Sequence, residues 1–192
     1  MITEAFSLKG KTALVTGAGK GIGARIATAF AEMGANVILV ARTQSDIDRV
    51  AEEVRDFGVT ATALACDITS DDSVANMFTQ VEAATSSLDI LVNNAGAAGR
   101  GYGSLEQVDK TAFNDTVDIN LTAAYQLIHL ALPLLKKAPN AAIVNVSSAM
   151  SWMVDKNFAA YAAAKAGLDQ MTRVLAYELA PAIRVNGIAP GA

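Results

Sequence analysis

The stretch "KTALVTGAGKGIGARIATAFAEMGANVILVA", residues 11–41, places two apolar, β-branched runs on either side of a helical pattern. The runs 11–16 and 35–41 predict buried strands. A glycine cluster begins the helix between them, and Gly34 can end it as a left-handed residue. Two strands joined in this way pack in parallel through a right-handed crossover. The stretch therefore predicts a βαβ unit.

The same alternation continues through the rest of the chain. Four further apolar runs predict strands at 60–66, 88–93, 141–147 and 182–188, with helical patterns between them. Ser45 is the predicted N-cap of the second helix, and Pro133 is expected to bend or disturb a long helix through "INLTAAYQLIHLALPLLKK". Continuous apolar strands separated by helices are typical of a parallel sheet covered on both faces. We expect one Rossmann-like, doubly wound α/β domain over residues 1–192, with six strands.

Composition excludes several classes of protein. The 192 residues are 52% hydrophobic and 18% charged, and the formal net charge of −4 comes without a Lys/Arg run, which argues against nucleic-acid binding. No apolar stretch has the length of a membrane span, and the N-terminus lacks a signal-peptide pattern. Cys66 is the single cysteine, which fits a reducing compartment, so we expect a cytoplasmic protein. His129 is the single histidine; its apolar setting predicts a packing position, and we expect no metal site.

The glycine cluster "TGAGKGIG", residues 16–23, follows the first predicted strand and begins the first helix. A parallel-sheet domain binds phosphates at this place, because glycines let the backbone approach the ligand and the helix N-terminus offers free N–H groups. The spacing is Gly17-x3-Gly21-x-Gly23 rather than G-x-G-x-x-G, since Ile22 stands where the last glycine would be. The alternative is a tight turn without a ligand. The position within a βαβ unit favours a dinucleotide site.

The end of the second strand predicts which dinucleotide binds. A carboxylate there suits the ribose 2′-hydroxyl of NAD, whereas a cation suits the 2′-phosphate of NADP. The sequence "VAR" places Arg42 at this point, and Lys20 adds a second positive charge in the glycine loop. Asp46 and Asp48 are assigned to the following helix rather than to the strand end. The prediction is NADP (NADPH); the alternative is that Arg42 is merely solvated.

Several motifs, in order, resemble the short-chain dehydrogenase/reductase family, and the resemblance covers the whole chain. They are Thr16-Gly17-x3-Gly21-Ile22-Gly23, "NNAG" at 93–96, Asn120 in "DIN", Ser148 thirteen residues before Tyr161, Tyr161-x3-Lys165, and "N-x-x-x-P-G" from Asn186 to Gly191. Within the family the chain is similar to 3-oxoacyl-acyl-carrier-protein reductases and bacterial hydroxysteroid dehydrogenases.

The resemblance implies a catalytic set of Asn120, Ser148, Tyr161 and Lys165. Tyr161 and Lys165 are four apart in an alanine-rich helical stretch and so share a face. A free tyrosine has a pKa near 10, and an adjacent ammonium group is expected to lower it toward the operating pH. By resemblance, Ser148 rather than Ser147 donates to the substrate oxygen, Lys165 binds the nicotinamide ribose, and Asn120 holds a water of a proton relay.

The resemblance also implies the cofactor-binding residues. Asp67 orients the adenine with Ile68 beside it, and the nicotinamide lies near Pro190 and Gly191. The full predicted set is Gly17, Lys20, Gly21, Ile22, Gly23, Arg42, Asp67, Ile68, Asn94, Ala95, Gly96, Tyr161, Lys165, Pro190 and Gly191.

The predicted function is therefore NADP-dependent hydride transfer between nicotinamide and a carbonyl or secondary alcohol, such as a 3-oxoacyl thioester or a steroid. The alternative is a dinucleotide-binding sensor or scaffold without turnover. Trp152, Met153 and Phe158 indicate either a bulky apolar substrate or packing against a neighbouring helix or subunit. The resemblance implies a homodimer or homotetramer formed through the two long helices. From the charge and the hydropathy, we expect neither a nucleic acid nor a membrane as partner.

The chain departs from the family pattern at its end. Family members continue past the Pro-Gly motif into a substrate lid, a helix and a seventh strand, whereas this sequence stops at Ala192. We expect the seventh strand to be missing, because the sequence is either a truncated version of a longer protein or a degraded member of the family. Either case puts the activity of the 192-residue form in question.

Overall fold

A computed structural model of the chain describes residues 6–191. Within that range, six parallel strands form one sheet in the order β3-β2-β1-β4-β5-β6. The strands are β1 (Thr12–Thr16), β2 (Asn36–Ala41), β3 (Ala61–Ala65), β4 (Ile90–Asn93), β5 (Ala141–Val146) and β6 (Ile183–Ile188). All six lie where the apolar runs predicted them, which confirms the doubly wound parallel sheet.

Helices cover both faces of the sheet. They are α1 (Gly21–Glu32), α2 (Gln44–Arg55), α3 (Asp71–Ala84), α4 (Lys110–Val117), α5 (Ala123–Leu135) and α6 (Ala159–Leu179). Successive strand residues point to opposite faces, so Val15 packs under α1 and α2 while Leu14 joins the core under α3, α5 and α6. The chain order reverses between β1 and β4. Ligands of open α/β sheets bind outside the carboxyl ends of the strands, at the point where the strand order reverses. We therefore expect a binding site beside the carboxyl ends of β1 and β4.

The prediction of Ser45 as the N-cap of the second helix was wrong. The residue before α2 is Thr43, whose side chain makes no capping bond, and Ser45 lies within the first turn of the helix. Pro133 lies inside α5, and its neighbours Leu134 and Leu135 are buried, so tertiary packing holds the helix together there. The regular helical pattern is instead interrupted by a π-helical turn at Asp118–Thr122, between α4 and α5.

His129 also differs from its predicted packing position. It lies on the exposed side of α5, where its ring stacks on Tyr125 with centroids 6.5 Å apart. The apolar letters around it in the sequence belong to the buried side of the same helix, which includes Leu127, Ile128 and Ala131.

Candidate active site

The ends of β1 and β4 are joined by hydrogen bonds between Thr16 and the residues after β4. The Thr16 hydroxyl accepts from the Asn94 N–H at 3.0 Å and from the Ala95 N–H at 3.1 Å. The Asn94 side-chain amide donates back to the Thr16 carbonyl at 2.9 Å. These bonds fix the two loops on either side of the point where the strand order reverses. They make the floor of a rigid cleft.

The glycine loop lies against this floor so closely that side chains would not fit. Gly17 has a positive φ of 65°, and a Cβ there would meet Asn94 Nδ2 at 2.8 Å. A Cβ on Gly23 would collide with the Gly17 carbonyl oxygen. Gly21, with a φ of 56°, begins α1 in a conformation that side chains disfavour. The glycines therefore shape the turn that presents the N-terminus of α1 to the cleft.

A cleft of about 560 Å³ opens at this edge of the sheet, large enough for a cofactor-sized ligand. The predicted residues that line it are Gly17, Lys20, Ile22, Arg42, Asp67, Ile68, Asn94, Ala95, Gly96, Ser148, Tyr161, Lys165 and Pro190. Gly21, Gly23, Asn120 and Gly191 are not among the lining residues. The first two act through the turn, and Asn120 acts through the loop described below.

The sequence-based interpretation missed Asp46 as a residue of the cleft. Asp46 belongs to α2, as expected, yet its carboxylate lines the cleft and pairs with Lys20 Nζ at 3.0 Å. The absence of a side chain on Gly19 permits this approach, since a Cβ there would lie 2.9 Å from Asp46 Cβ. The positions of Lys20 and Asp46 in the sequence do not predict this ion pair. The pair depends on how α2 packs against the glycine loop.

Arg42 and Asp67 face the same end of the cleft. The pKa of Asp67 is lowered, first by the hydrogen bond from the Thr69 backbone and then by that from its hydroxyl, at 3.0 and 2.8 Å, with a smaller contribution from the charge of Arg42. Asp67 is therefore an anionic hydrogen-bond acceptor at the end of β3. Arg42 supplies the opposite charge beside it.

Tyr161 and Lys165 both face the other end of the cleft, as their spacing predicted. Lys165 Nζ lies 5.7 Å from the centre of the Tyr161 ring and donates to the Val146 carbonyl at 2.8 Å. The lysine is only 3% exposed. Burial lowers its pKa to about 8, although the charge of Asp169 acts in the opposite direction. Its amine can therefore gain or lose a proton near neutral pH.

The two neighbouring serines differ in their hydrogen bonds. Ser147 is buried, and its hydroxyl donates to the main-chain carbonyl of Lys165 at 3.4 Å. Ser148 Oγ accepts from the Met150 N–H at 3.2 Å, and within residues 6–191 its own proton has no acceptor. Both line the cleft, but Ser148 keeps a donor for a ligand, which supports the choice made from the spacing.

Asn120 lies in the π-helical turn, behind the loop that follows β4. Its side chain is 2% exposed and bonds the main chain of Ala97 and Thr116. Gly96 separates it from Lys165: a Cβ on Gly96 would meet Asn120 Oδ1 at 2.6 Å and Lys165 Nζ at 3.2 Å. The structure thus brings Asn120, Lys165, Tyr161 and Ser148 around one end of the cleft, with Asn120 in the layer behind.

A family model for short chain dehydrogenases matches residues 11–192. The chain belongs to the short-chain dehydrogenase family. The match spans the glycine loop, the Tyr161–Lys165 helix and all six strands, so one family accounts for the whole described sheet. The family match thus covers both the parallel sheet and the residues that line the cleft.

Two curated relatives of this short-chain dehydrogenase show the range of its family. An uncharacterized oxidoreductase of Mycobacterium tuberculosis is 40% identical over all of this chain and 72% of its own length. The 3-oxoacyl-[acyl-carrier-protein] reductase FabG of Pseudomonas aeruginosa is 39% identical over 96% of this chain and 74% of its own. The resemblance stated from the motifs is confirmed.

Solved structures of the family include both nicotinamide cofactors. A metagenomic short-chain oxidoreductase in complex with NADP superposes with a TM-score of 0.89 at 36% identity, over 96% of this chain and 84% of that one. An NAD⁺-bound xylitol dehydrogenase also has a TM-score of 0.89, at 32% identity, over 95% of this chain and 70% of that one. Family membership therefore establishes a nicotinamide dinucleotide but not which of the two.

Aromatic residues flank the Tyr161 ring of this dehydrogenase. Phe158 lies between Tyr102 and Tyr161, with edge-on ring centroids at 4.9 and 6.1 Å. A hydrogen bond from the Gly103 N–H to the Asn157 carbonyl at 3.0 Å ties the two loops that carry these rings. Trp152 and Met153 are exposed, and Arg100 pairs with Asp115 at 3.4 Å away from the cleft.

Two features, a membrane-spanning helix and a metal-ligating cluster, are absent from the described residues. Among residues 6–191, none of the helices combines the length and apolar character needed to cross a membrane. The same residues contain no group of three or more His, Cys, Asp or Glu side chains placed to hold a metal ion.

Proposed function

We propose that this short-chain dehydrogenase is an NADP-dependent oxidoreductase that interconverts a carbonyl group and a secondary alcohol. One observation carries the proposal: a single cleft has a glycine turn and two cations at one end and Ser148, Tyr161 and Lys165 at the other. The first group suits a phosphorylated dinucleotide. The second suits proton transfer to an oxygen.

The residues of the cleft fit a nicotinamide dinucleotide. The close packing that Gly17 and Gly23 permit forms the turn that presents the N-terminus of α1 to the cleft, where its free N–H groups suit a pyrophosphate. Asp67 and Ile68 would hold the adenine end, and Asn94, Ala95, Gly96 and Pro190 line the path toward Tyr161. A bound nicotinamide dinucleotide supplies or accepts the hydride.

Tyr161 is the proposed general acid and base. Its phenol gives a proton to the forming alkoxide, or takes one from an alcohol in the reverse direction. Lys165 stabilises the phenolate as a nearby cation, and its pKa of about 8 lets it exchange the proton onward. The free Ser148 hydroxyl donates to the substrate oxygen and holds it against the phenol.

The choice of NADP rests on Lys20 and Arg42 at the end of the cleft below β2. Cations there complement a 2′-phosphate, and a guanidinium can bind phosphate through two hydrogen bonds. Asp46 opposes this preference, because its carboxylate shares Lys20 and repels the phosphate. Asp67 faces this end of the cleft as a second carboxylate. The net preference we propose is still for NADPH, because within residues 6–191 Arg42 forms no ion pair and keeps its guanidinium for the phosphate.

The proposed substrates are apolar carbonyl compounds, such as 3-oxoacyl thioesters or steroids. Two observations support this class: a relative is named as a 3-oxoacyl-carrier-protein reductase, and Phe158 and Tyr102 extend an apolar surface beside Tyr161. Planar or extended apolar groups gain contact area on such rings.

We further propose a homodimer or homotetramer in the cytoplasm. Tyr125 on α5 and Tyr177 on α6 are 57% and 90% exposed, and Val174 on α6 is 44% exposed. Large apolar side chains on these two helices provide a surface for a second copy. The single buried Cys66 supports a reducing compartment.

Fluorescence titration of the chain with NADPH and, separately, NADH tests the cofactor, and a panel of carbonyl compounds tests turnover. We expect tighter binding of NADPH and consumption of it with apolar ketones. Tighter binding of NADH would overturn the assignment of NADP. Binding without turnover of any carbonyl or alcohol would favour the dinucleotide sensor instead.

A further inference from the structure

Three buried polar side chains form a row across the sheet and into α6. Asn93 Nδ2, at the end of β4, donates to Asn145 Oδ1 on β5 at 2.9 Å. Asn145 Nδ2 donates to Thr172 Oγ1 at 2.8 Å, and the Thr172 hydroxyl donates to the Leu168 carbonyl at 2.7 Å. The row therefore connects two central strands with the helix that carries Tyr161 and Lys165.

The row lies in a part of the core where polar groups are costly. Asn145 is fully buried, and Asn93 and Thr172 are 4% and 8% exposed. Asn93 Oδ1 has no partner, so the row tolerates one unsatisfied buried acceptor. An unpaired buried group of this kind destabilises the folded chain, a cost that apolar side chains of similar shape would avoid. Stability alone therefore gives no reason for three polar residues here.

Each member of the row stands at a fixed short distance along the chain from a residue of the cleft. Asn93 directly precedes Asn94, and Asn145 comes three residues before Ser148. Thr172 comes seven residues after Lys165, which is two helical turns, so both lie on the same side of α6. Lys165 in turn donates to Val146, the residue after Asn145. The row and the Lys165–Val146 bond thus join the same strand and helix at two levels.

Hydrogen bonds can fix this junction more sharply than apolar contacts do. Apolar side chains such as Leu168 and Met171 on α6 can slide against the sheet at small cost, whereas a donor and acceptor pair holds only at one separation and direction. Thr172 is suited to this, because its hydroxyl accepts from Asn145 while it donates to its own helix. These two bonds together determine the rotamer of Thr172 and hence the orientation of the Asn145 amide.

We propose that Thr172, acting through Asn145, is a positioning residue that sets the register of α6 against β5 and thereby holds Lys165 and Tyr161 opposite Ser148. The inference rests on the proposed function for its catalytic consequence. Its structural content, the placement of Lys165, can be tested without a substrate.

The test compares Thr172→Val, which keeps the shape and removes the hydroxyl, with Thr172→Ser, which keeps the hydroxyl. Thr28→Val is the matched control, because the Thr28 hydroxyl also donates to the carbonyl four residues earlier, Ala24 at 3.2 Å, but to no other element. NMR of protein with ¹³C-labelled lysine follows the titration of Lys165, identified by its loss in Lys165→Met. Two ionisable groups act on Lys165: Tyr161, whose ring centre lies 5.7 Å from Nζ, and Asp169, whose charge raises the lysine pKa.

We expect Thr172→Val to move the Lys165 titration upward from about 8, because a displaced amine meets more water. Its kcat should fall about tenfold or more, with a smaller rise in the Kd for NADPH, because the glycine turn, Lys20 and Arg42 at the other end of the cleft are not displaced. Thr172→Ser and Thr28→Val should match the parent. If Thr172→Val does not fold, Thr172→Ala, which also removes the hydroxyl, carries the same test.

An unchanged Lys165 titration in the Val or Ala variant would overturn the inference, and so would a Ser variant that behaves like Val. Failure of the parent to bind NADPH or to turn over any carbonyl would instead contradict the proposed function. The two failures are distinguishable, because the lysine titration needs neither cofactor nor substrate.

Discussion

The Asn120 side chain meets the main chain of Ala97 at both of its polar atoms. Its Nδ2 donates to the Ala97 carbonyl at 2.6 Å and its Oδ1 accepts from the Ala97 N–H at 3.2 Å. Nδ2 also donates to the Thr116 carbonyl at 2.8 Å. Both amide hydrogens are thus used to tie the loop after β4 to the end of α4. For this side chain, holding the loop is the role its contacts support; a relay water could use only the remaining acceptor capacity of Oδ1.

Gly96→Ala should disrupt this arrangement. The new Cβ would lie 2.6 Å from Asn120 Oδ1 and 3.2 Å from Lys165 Nζ, so the loop or the lysine must move. We expect kcat to fall about tenfold or more, since small displacements of positioned groups are costly. Gly187→Ala is the control, because its Cβ would meet nothing closer than 3.6 Å. Equal activities of the two variants would contradict the close packing at Gly96.

Tyr161→Phe should abolish turnover while leaving cofactor binding intact. The phenol is the proposed proton donor, and loss of a general acid costs about 10²–10⁴ in rate. Stopped-flow or steady-state assays with an accepted carbonyl, together with an NADPH titration, measure the two effects separately. Residual activity close to that of the parent would remove Tyr161 from the chemistry.

Arg42→Ala should weaken NADPH selectively. A charge-assisted bond to the 2′-phosphate is worth about 1.5–3 kcal/mol, so Kd should rise about 10- to 100-fold for NADPH with little change for NADH. Isothermal titration with each cofactor gives both numbers. Arg25→Ala is the control, because Arg25 lies on the exposed side of α1 and its loss removes one positive charge outside the cleft. A parallel loss in the two variants would point to net charge rather than to a phosphate contact.

Asp46→Asn should strengthen NADPH binding. The change frees Lys20 from its 3.0 Å ion pair and removes a negative charge near the proposed phosphate site. Exposed ion pairs are worth about 0.2–1 kcal/mol, so the gain should be about two- to fivefold and should shrink at high salt. Titrations at low and high ionic strength check this. A loss of affinity would mean that Asp46 serves to hold Lys20 in place.

Lys165 should make stability depend on pH in the alkaline range. Its pKa is lowered from 10.5 to about 8 in the folded chain, so the cost of burying the charged amine is present below pH 8. Between pH 8 and 10.5, Lys165 is neutral in the folded chain but still protonated in the unfolded chain. The folded chain therefore no longer buries a charge, and its stability rises with pH over this range. The unfolding free energy should therefore rise, relative to Lys165→Met, by at most about 3 kcal/mol. Denaturant titrations of both proteins measure it; a constant difference across that range would contradict the buried charge.

Much of the fold could be predicted because it depends on local order along the chain. The six apolar runs, the helical patterns between them and the glycines of "TGAGKGIG" carry the periodicity and the steric freedom that their elements need. The pairing of Tyr161 with Lys165 followed for the same reason, since four residues make one turn of a helix. The motif spacing then selected Ser148 over Ser147.

Other features depended on contacts between residues far apart in sequence. The Lys20–Asp46 pair arises from the packing of α2 against the glycine loop. His129 is exposed because the packing of α5 turns its side of the helix toward water. The π-helical turn at Asp118–Thr122 carries Asn120, whose side chain bonds Ala97, 23 residues earlier. The local sequence holds no signal for these partners.

By itself, then, the sequence determined the βαβ order, the glycine turn and the shared face of Tyr161 and Lys165, since each depends on bonded neighbours and helical or strand period. Tertiary structure alone decided that Asp46 faces Lys20, that Asn120 holds Ala97, and that Thr172 reaches Asn145, 27 residues away. The reason is physical: hydrogen bonds form only at about 3 Å, and the packing of the sheet and helices decides which distant groups come that close.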